Sequence, residues 1–286
     1  MTMPPPPTRA GKAGLPPGSL IHIGRRLTDQ TRLTLYDYDE RHFEERTLAA
    51  VGDTAPYRDR PTVTWLNIDG LQDTGVLAAL GEQFGLHPLI LEDMLNTEQR
   101  PKFEDLGDSL FIVMRIFSLP ADGKDGLLSE QISLIVGPRH LVTVQEKAGP
   151  LLDPIRERLR SGRGLIRKAG ADYLAHAIMD AVVDQYFVVL EALGERIEAL
   201  EDVLVTRPTQ DTLRAIQVLK REMTALRKSV WPLREALSAI ERSDSSLLHK
   251  ATGPYFKDVY DHTIQVIDTI EAYRDLLSGM LDIYLS

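Results

Sequence analysis

The sequence contains no cysteine among its 286 residues. This absence excludes thiol catalysis, disulfide bonds and thiolate zinc sites, and it suits a reducing compartment. The roughly 18 consecutive apolar residues that a membrane-spanning helix needs do not occur anywhere, so no segment of this sequence is predicted to cross a bilayer. The proline-rich start has no apolar core segment, and we expect no secretory signal.

Recognisable catalytic motifs are absent as well. The sequence has no glycine-rich phosphate loop, nucleophile elbow or HExxH motif, so an enzyme is not expected. The histidines form no HxH or HxxxH pair, which argues against a dedicated zinc cage. The 42 acidic residues outnumber the 33 basic ones and give a net charge of -9. This balance disfavours nucleic acid as a partner, because phosphate contacts need a basic face, and it is compatible with cations.

The first half of the chain combines sequence patterns typical of strands and of helices. Residues 1–18 are rich in proline and are predicted to be a disordered tail. Residues 19–150 are predicted to form an α/β domain with a largely antiparallel sheet, since short β-rich runs alternate with turn residues. The predicted strands are SLIHIG, RLTLYDYD, TVTWLNIDG, SLFIVMRIFSL, EQISLIV and HLVTVQE, and the predicted helices are GVLAALGEQF and HPLILEDML.

The second half is almost entirely helical, which makes the whole chain an α/β (α+β) protein. Residues 151–253 are predicted to form a short helix that ends near Gly162, followed by a long helical hairpin that turns near residue 207. In such a hairpin, residues whose numbers sum to about 414 face each other. Asp180 would then lie near Arg234 and form an ordinary salt bridge with it. Asp184 would lie near Val230.

Residues 254–286 are predicted to form a long C-terminal stalk helix. Its apolar residues recur in steps of three and four, which is a heptad pattern that favours packing against neighbouring helices and self-association. The helix has no capping residues at its end, and we expect it to continue into a more apolar segment. The heptad positions are Val259, Thr263, Val266, Ile270, Tyr273, Leu277, Met280 and Tyr284.

An acidic ladder lies on another face of the stalk helix. Asp261, Asp268, Asp275 and Asp282 are spaced seven residues apart and therefore share one face. The simpler interpretation is a solvated helix surface, because like charges repel each other. The alternative is that identical helices gather around an axis, where stacked carboxylate rings would attract hydrated cations.

Several stretches of the sequence closely resemble the cytoplasmic part of CorA-type magnesium transporters, from about Ser19 to Ser286. The resemblance implies an α/β domain, a helical hairpin and a stalk that leads into the first membrane helix, with five copies forming a funnel below a pore. The family's Gly-Met-Asn signature and membrane helices are not present in these residues. The stretches are HPLILEDMLNTEQRPKFEDLGDSLFIVMRIF, ADYLAHAIMDAVVDQYFVVLE, LRKSVWPLREALSAIER and PYFKDVYDHTIQVIDTIEAYRDLLSGMLDIYLS.

The resemblance also implies site residues. Asp93 and Asp258 match a regulatory metal site between subunits, and Glu92 and Asp180 match a second site nearby, whereas spacing alone leaves all four as ordinary carboxylates. Asp282 matches an aspartate near the membrane entrance. The implied ligand is regulatory Mg²⁺, with Co²⁺ or other divalent cations as substitutes. The implied partner is the chain itself as a homopentamer, at the cytoplasmic face of the inner membrane and attached to it through further helices.

Two other interpretations stay open. The chain could belong to the zinc-transporting ZntB branch of the same superfamily, although the VYDHTIQ and SVWPLREALS stretches favour the magnesium branch. It could also be a soluble helical scaffold without a role in ion transport. The expected function is metal sensing and gating, in which Mg²⁺ bound between subunits closes the pore.

Overall fold

The computed structural model describes residues 14–120 and 126–285. The expected disordered tail therefore falls outside the described residues up to residue 13. Seven strands are present in the described ranges: β1 Arg32–Tyr38, β2 Phe43–Leu48, β3 Val63–Asp69, β4 Lys102–Asp105, β5 Leu110–Ser118, β6 Leu128–Val136 and β7 His140–Gln145. They form one sheet in the order β2-β1-β3-β7-β6-β5-β4.

The sheet is antiparallel except where β3 pairs with β7, so the predicted fold class is confirmed. The prediction that the last three β-rich runs are antiparallel is confirmed too, because β6 pairs antiparallel with both β5 and β7. The strand predicted for SLIHIG is wrong. There the backbone forms only an isolated bridge from Ile23 to Asn96, which ties this segment to the end of a helix instead of to the sheet.

Six α-helices occupy the described ranges, together with 3-10 turns at Val51–Tyr57 and Pro150–Leu152. The short helix before the hairpin ends at Gly162 as predicted, and the hairpin break lies at residues 207–209, with Thr209 capping the second arm. The stalk helix begins at Gly253, one residue before its predicted start. The helices are α1 Thr74–Phe84, α2 Pro88–Leu95, α3 Asp153–Ser161, α4 Ala171–Thr206, α5 Gln210–Glu241 and α6 Gly253–Leu285.

Two apolar cores cover the two faces of the sheet. One core lies beneath α1, α2 and the first 3-10 turn, and it includes Leu66 and Val142. The other core joins the opposite face to the long helices, and it includes Trp65, Leu141 and Tyr186. Because strand side chains alternate between faces, neighbouring residues such as Trp65 and Leu66 enter different cores.

The long helices are arranged differently from a simple two-helix hairpin. Helix α6 packs along both α4 and α5. Near the turn α4 and α5 still meet directly, since Arg196 contacts Glu222 at 3.1 Å. Further from the turn, Asp180 faces α6 and the Arg234 guanidinium lies 4.5 Å from the ring centre of Trp231. The predicted pairing of Asp180 with Arg234 is therefore wrong, because the third helix takes the place of the second.

The heptad seam of α6 is buried inside the chain. Its positions Val259, Val266, Ile270 and Leu277 are 0–1% exposed. Packing against neighbouring helices is thus confirmed, but the neighbours belong to the same chain. The expectation that this seam drives self-association is wrong, because its side chains are already covered. In the part of the chain that the structure describes, no helix combines the length and the apolarity needed to cross a membrane.

Candidate metal centre on helices α4 and α6

Three potential metal ligands meet between α4 and α6. A carboxylate oxygen from each of Asp180 and Asp184 and a ring nitrogen of His262 all lie within 4.8 Å of one another. The two aspartates are one helical turn apart on α4, which places them on the same face. Asp258 lies one turn before His262 on α6, and its Oδ2 is 4.0 Å from His262 Nε2. We refer to Asp180, Asp184, Asp258 and His262 as the acidic cluster.

Negative charge outweighs positive charge in this cluster. Burial raises the pKa of the Asp180 carboxyl, and the negative charges of Asp184 and Asp258 raise it further, against the opposing effects of His262 and Arg158. Each of these shifts disfavours the ionised form that a metal requires. A bound cation would reverse them, so metal binding and proton release from Asp180 are coupled.

Aromatic packing fixes the position of Asp258 over α4. The buried His176 of α4 lies 5.3 Å from the ring centre of Tyr255 and 5.7 Å from that of Phe256, at the start of α6. Burial lowers the pKa of His176 to about 4, with a smaller contribution from Arg158 in the same direction, so this ring packs as a neutral group. The first turns of α6 are thereby held against α4, and Asp258 is carried to the cluster.

A buried carboxylate holds the loop before α6. Asp172, at the start of α4, is 1% exposed. Its Oδ2 accepts a hydrogen bond from the backbone N–H of His249 at 2.9 Å, and its Oδ1 lies 3.0 Å from His249 Nδ1. The connection between α5 and α6 is therefore anchored next to the cluster-bearing helix.

Asp93 lies on α2 and is engaged by other side chains. Lys102 Nζ contacts its Oδ2 at 2.5 Å, and the Gln99 amide donates to its Oδ1. Burial opposes the charge on Lys102, but the hydrogen bonds that Lys102 donates to Asp93 and Glu104 outweigh it and raise the pKa of Lys102. Within the chain, the Lys102 ammonium thus takes the place beside Asp93 that a metal ion would occupy. Asp93 is not part of the acidic cluster.

Glu92 is also placed outside the acidic cluster. Its Oε2 accepts a hydrogen bond from the backbone N–H of Gly18, which ties the segment before β1 to α2. Of the residues that the resemblance implied, the structure therefore places Asp180 and Asp258 near each other, and Glu92 and Asp93 side by side on another element. A shared site for both pairs stays a prediction that involves a second copy of the chain.

The four aspartates of the predicted ladder are all exposed: Asp261, Asp268, Asp275 and Asp282. Their face of α6 differs from the buried heptad seam, so it is available in the single chain. This exposure is compatible with an assembly axis lined by these carboxylates, but it does not require one. The axis therefore stays a prediction.

Another set of potential ligands, Asp37, His42 and Glu44, is already neutralised. Arg60 Nη1 lies 3.2 Å from Asp37 Oδ1 and 3.3 Å from Glu44 Oε2. The hydroxyls of Thr62 and Thr64 also donate to the buried Asp37. The Arg60 guanidinium already supplies the positive charge that a metal ion would bring to these carboxylates. The acidic cluster is therefore the better candidate for a metal site.

The donor set of the acidic cluster fits a divalent cation. Mg²⁺ prefers hard oxygen ligands, keeps several waters and needs only one or two carboxylates. Asp258 is 66% exposed, so it can reach outward to a hydrated ion. The Nδ1 atom of His262 is buried and has no hydrogen-bond partner among the described residues. The sequence interpretation missed Asp184 and His262, although the i,i+4 pairs 180/184 and 258/262 were a visible signal.

Solved structures of other proteins share this fold. The soluble domain of CorA from Methanocaldococcus jannaschii superimposes with a TM-score of 0.74 at 20% identity, covering 88% of this chain and 96% of that one. The ZntB cytoplasmic domain from Vibrio parahaemolyticus gives 0.70 at 15% identity, with the same two coverages of 88% and 96%. At these identities the likeness defines the class of fold alone.

The sequence comparisons define the family. Residues 61–286 match the family described as CorA-like Mg2+ transporter protein. The cobalt/magnesium transport protein CorA of Thermotoga maritima is 46% identical over 277 residues, which cover 97% of this chain and 78% of that protein. The chain belongs to the CorA-like Mg2+ transporter family, and the resemblance found from the sequence is confirmed.

Proposed function

We propose that this chain is the metal-sensing cytoplasmic part of a Mg²⁺ and Co²⁺ transporter, and that Mg²⁺ bound between copies of the chain closes the transport path. The family membership supports transport of these cations, because the Thermotoga relative carries both in its name. The observation that supports sensing is the acidic cluster, where Asp180, Asp184 and His262 converge and the exposed Asp258 stands beside them.

The proposed sensor works by charge balance. Without a cation, the carboxylates of Asp180, Asp184 and Asp258 repel one another and any carboxylate of a second copy that approaches them. A hydrated Mg²⁺ ion offsets that repulsion, so it binds the packed arrangement of copies better than the separated one. This difference in affinity shifts the population towards the packed state, which is the closed one. Falling Mg²⁺ loosens the packing and opens the path.

Asp93 and Glu92 enter this proposal through the neighbouring copy. They lie on α2, and the acidic cluster lies on α4 and α6, so the ion would bridge two surfaces of different copies. The ammonium of Lys102 contacts Asp93 at 2.5 Å and would have to move aside or share the carboxylate. Five copies around an axis would place the α6 ladder at the centre, with membrane helices above it.

Calorimetric titration of this chain with MgCl₂ tests the proposal. We expect saturable binding that the D180N and D258N variants each weaken by about tenfold or more, the factor for a lost interaction with a charged group. The matched control is D244N, since Asp244 is exposed and lies outside the acidic cluster. Equal Mg²⁺ binding by all four proteins would show that the sensor does not use these residues.

His262 is the observation that favours a zinc-responsive alternative. Imidazole nitrogen is a preferred Zn²⁺ ligand, whereas Mg²⁺ takes oxygen. The same titration with ZnCl₂ separates the two functions. Tight Zn²⁺ binding that H262Q abolishes, together with no Mg²⁺ binding, would favour the zinc function. Mg²⁺ binding that H262Q leaves within about twofold would favour the magnesium function, because water can replace the ring.

A further inference from the structure

A pocket of about 90 Å³ lies on the sheet face opposite to α4, away from the acidic cluster. It is enclosed by the first 3-10 turn, by the amino ends of the parallel strands β3 and β7, and by the carboxyl end of α1. The residues that close it belong to four separate segments of the chain, so the fold itself creates the cavity.

Two cations at the pocket lack partners. Arg58 and Arg139 both line it, and the guanidinium group of neither has a hydrogen bond or an ion pair with another described residue. Other arginines nearby are paired: Arg46 and Arg60 contact Glu44 at 3.7 Å and 3.3 Å. Among the residues that the structure describes, no aspartate or glutamate lines the pocket. Two positive charges at a cavity without a carboxylate in its described wall favour the binding of an anion.

His140 adds a neutral hydrogen-bonding group to the pocket. Its ring is half-buried in the wall, and burial lowers the pKa of His140 to about 4, with the charge of Arg58 acting in the same direction. The imidazole is therefore neutral at physiological pH and can donate or accept one hydrogen bond. Its position depends on a glycine, because a Cβ atom at Gly137 would lie only 2.1 Å from His140 Cε1.

The rest of the wall combines apolar side chains with the polar residues Thr54, Thr64 and Gln83. Leu66, Phe84 and Leu141 line the pocket, and the Phe84 ring centre lies 5.0 Å from that of His140. An inorganic ion alone would leave this surface without a partner. A ligand with a small apolar body would cover it, and apolar lining with a few convergent polar groups is typical of small-molecule sites.

We propose that this pocket binds a small organic acid, whose carboxylate lies between Arg58 and Arg139 and whose apolar body lies against Phe84 and Leu66. The volume of about 90 Å³ exceeds the space of one water several-fold but is too small for a nucleotide. The site is separate from the proposed metal sensor, since none of its lining residues belongs to α4 or α6 or to the acidic cluster.

Ligand-observed NMR and calorimetry with this chain test the proposal, with benzoate as the probe. We expect saturable benzoate binding, weaker binding of inorganic phosphate, and no binding of benzamide, which has the same shape but no charge. R58Q and R139Q should each weaken benzoate binding by about tenfold or more, as expected when a charge-assisted hydrogen bond is lost. The matched control is R207Q, because Arg207 is exposed in the α4–α5 turn.

Four results would overturn the proposal. Three of them are the absence of saturable benzoate binding at millimolar concentration, equal binding of benzoate and benzamide, and unchanged affinity in both arginine variants. The fourth is phosphate binding as tight as benzoate binding, which would refute the organic-acid class. Arg58 and Arg139 are exposed, so both variants should fold, and a thermal melt of each without ligand verifies this. Because Mg²⁺ titration uses different residues, failure here and failure of the metal sensor are distinguishable.

Discussion

Nε2 of His262 lies 4.0 Å from the Asp258 carboxylate, one helical turn away on α6, and the same histidine meets Asp180 and Asp184 of α4. Three carboxylates and one imidazole thus converge where two long helices pack. Asp258 is 66% exposed, whereas Asp180 and His262 are partly buried, so the cluster has a carboxylate that a second molecule can reach. On this geometry rests the proposal that a metal ion joins copies of the chain.

Replacing Asp180 by Asn should stabilise the chain without metal and remove its response to metal. Burial and the neighbouring Asp184 raise the pKa of Asp180, so its ionised form destabilises the folded state at neutral pH. In EDTA at pH 7 we expect a gain of at most about 1 kcal/mol. Thermal melts with and without MgCl₂ measure both effects. A variant that keeps the full Mg²⁺-dependent rise in Tm would contradict this role.

Replacing Lys102 by Met should release Asp93 for metal binding. The ammonium contacts both Asp93 and Glu104 at 2.5 Å, so its removal leaves carboxylates that a cation can neutralise. We expect a loss of about 1 kcal/mol in unfolding free energy and tighter Mg²⁺-dependent association. Sedimentation over an Mg²⁺ titration measures the association, with K228M as the lysine control. Weaker association in K102M would mean that the ion pair itself supports the interface.

Glu146 should make stability depend on pH. Burial raises the pKa of Glu146 to about 7 from its ordinary 4.5, although the backbone N–H of Gln131 donates to it. The folded state therefore holds the proton more tightly, and this contribution to stability is present below pH 4.5 and is lost as the pH rises through 7.

The E146Q variant isolates that contribution, because glutamine keeps an acceptor for Gln131. Relative to wild type, we expect E146Q to gain stability between pH 5 and pH 8, by up to about 3 kcal/mol. Urea unfolding at the two pH values provides the measurement, and E241Q is an exposed control. A difference between wild type and E146Q that does not change with pH would refute the assignment.

Removing charge from the α6 ladder should favour association if the ladder lines an axis. The double variant D268N/D275N removes two negative charges that would face their copies around that axis. An increased assembled fraction in sedimentation is the expected outcome, since like charges brought together are destabilising. The control variant E198Q/D202N removes the same charge from an exposed face of α4. An identical response of the two variants would identify the ladder as an ordinary solvated surface.

Periodicity predicted the parts of the fold that local pattern controls. The three consecutive β-rich runs became β5, β6 and β7, α4 ended at the predicted turn near residue 207, and α6 appeared at nearly its predicted bounds. Strands β2 and β4 were missed because they are short, charged edge strands, FEERTL and KFED, without an apolar alternation. The packing of α6 against both α4 and α5 could not be predicted from the local sequence pattern either. A heptad repeat indicates that one face of a helix is buried, but it does not indicate which helix covers that face.

The candidate site was predictable in part. The family resemblance supplied Asp180 and Asp258, and the structure brings both to the α4–α6 contact. The hairpin rule assigned Asp180 to Arg234 because it assumed that successive helices are neighbours along their whole length. Asp184 and His262 could have been found by their i,i+4 spacing from the two implied ligands. The Lys102 contact of Asp93 depends on how β4 folds beside α2, which spacing does not encode.

Sedimentation velocity with and without Mg²⁺ is the most direct test of the central claim, that Mg²⁺ joins copies of this chain through the acidic cluster. The account predicts a monomer or weak oligomer in EDTA and a shift towards a pentamer in millimolar MgCl₂, because the α6 seam is already buried and metal must supply the contact. The D258N variant should stay small in both conditions, and D244N should behave as wild type. A sedimentation coefficient that Mg²⁺ leaves unchanged in the wild type, or changes equally in D258N, would contradict the account.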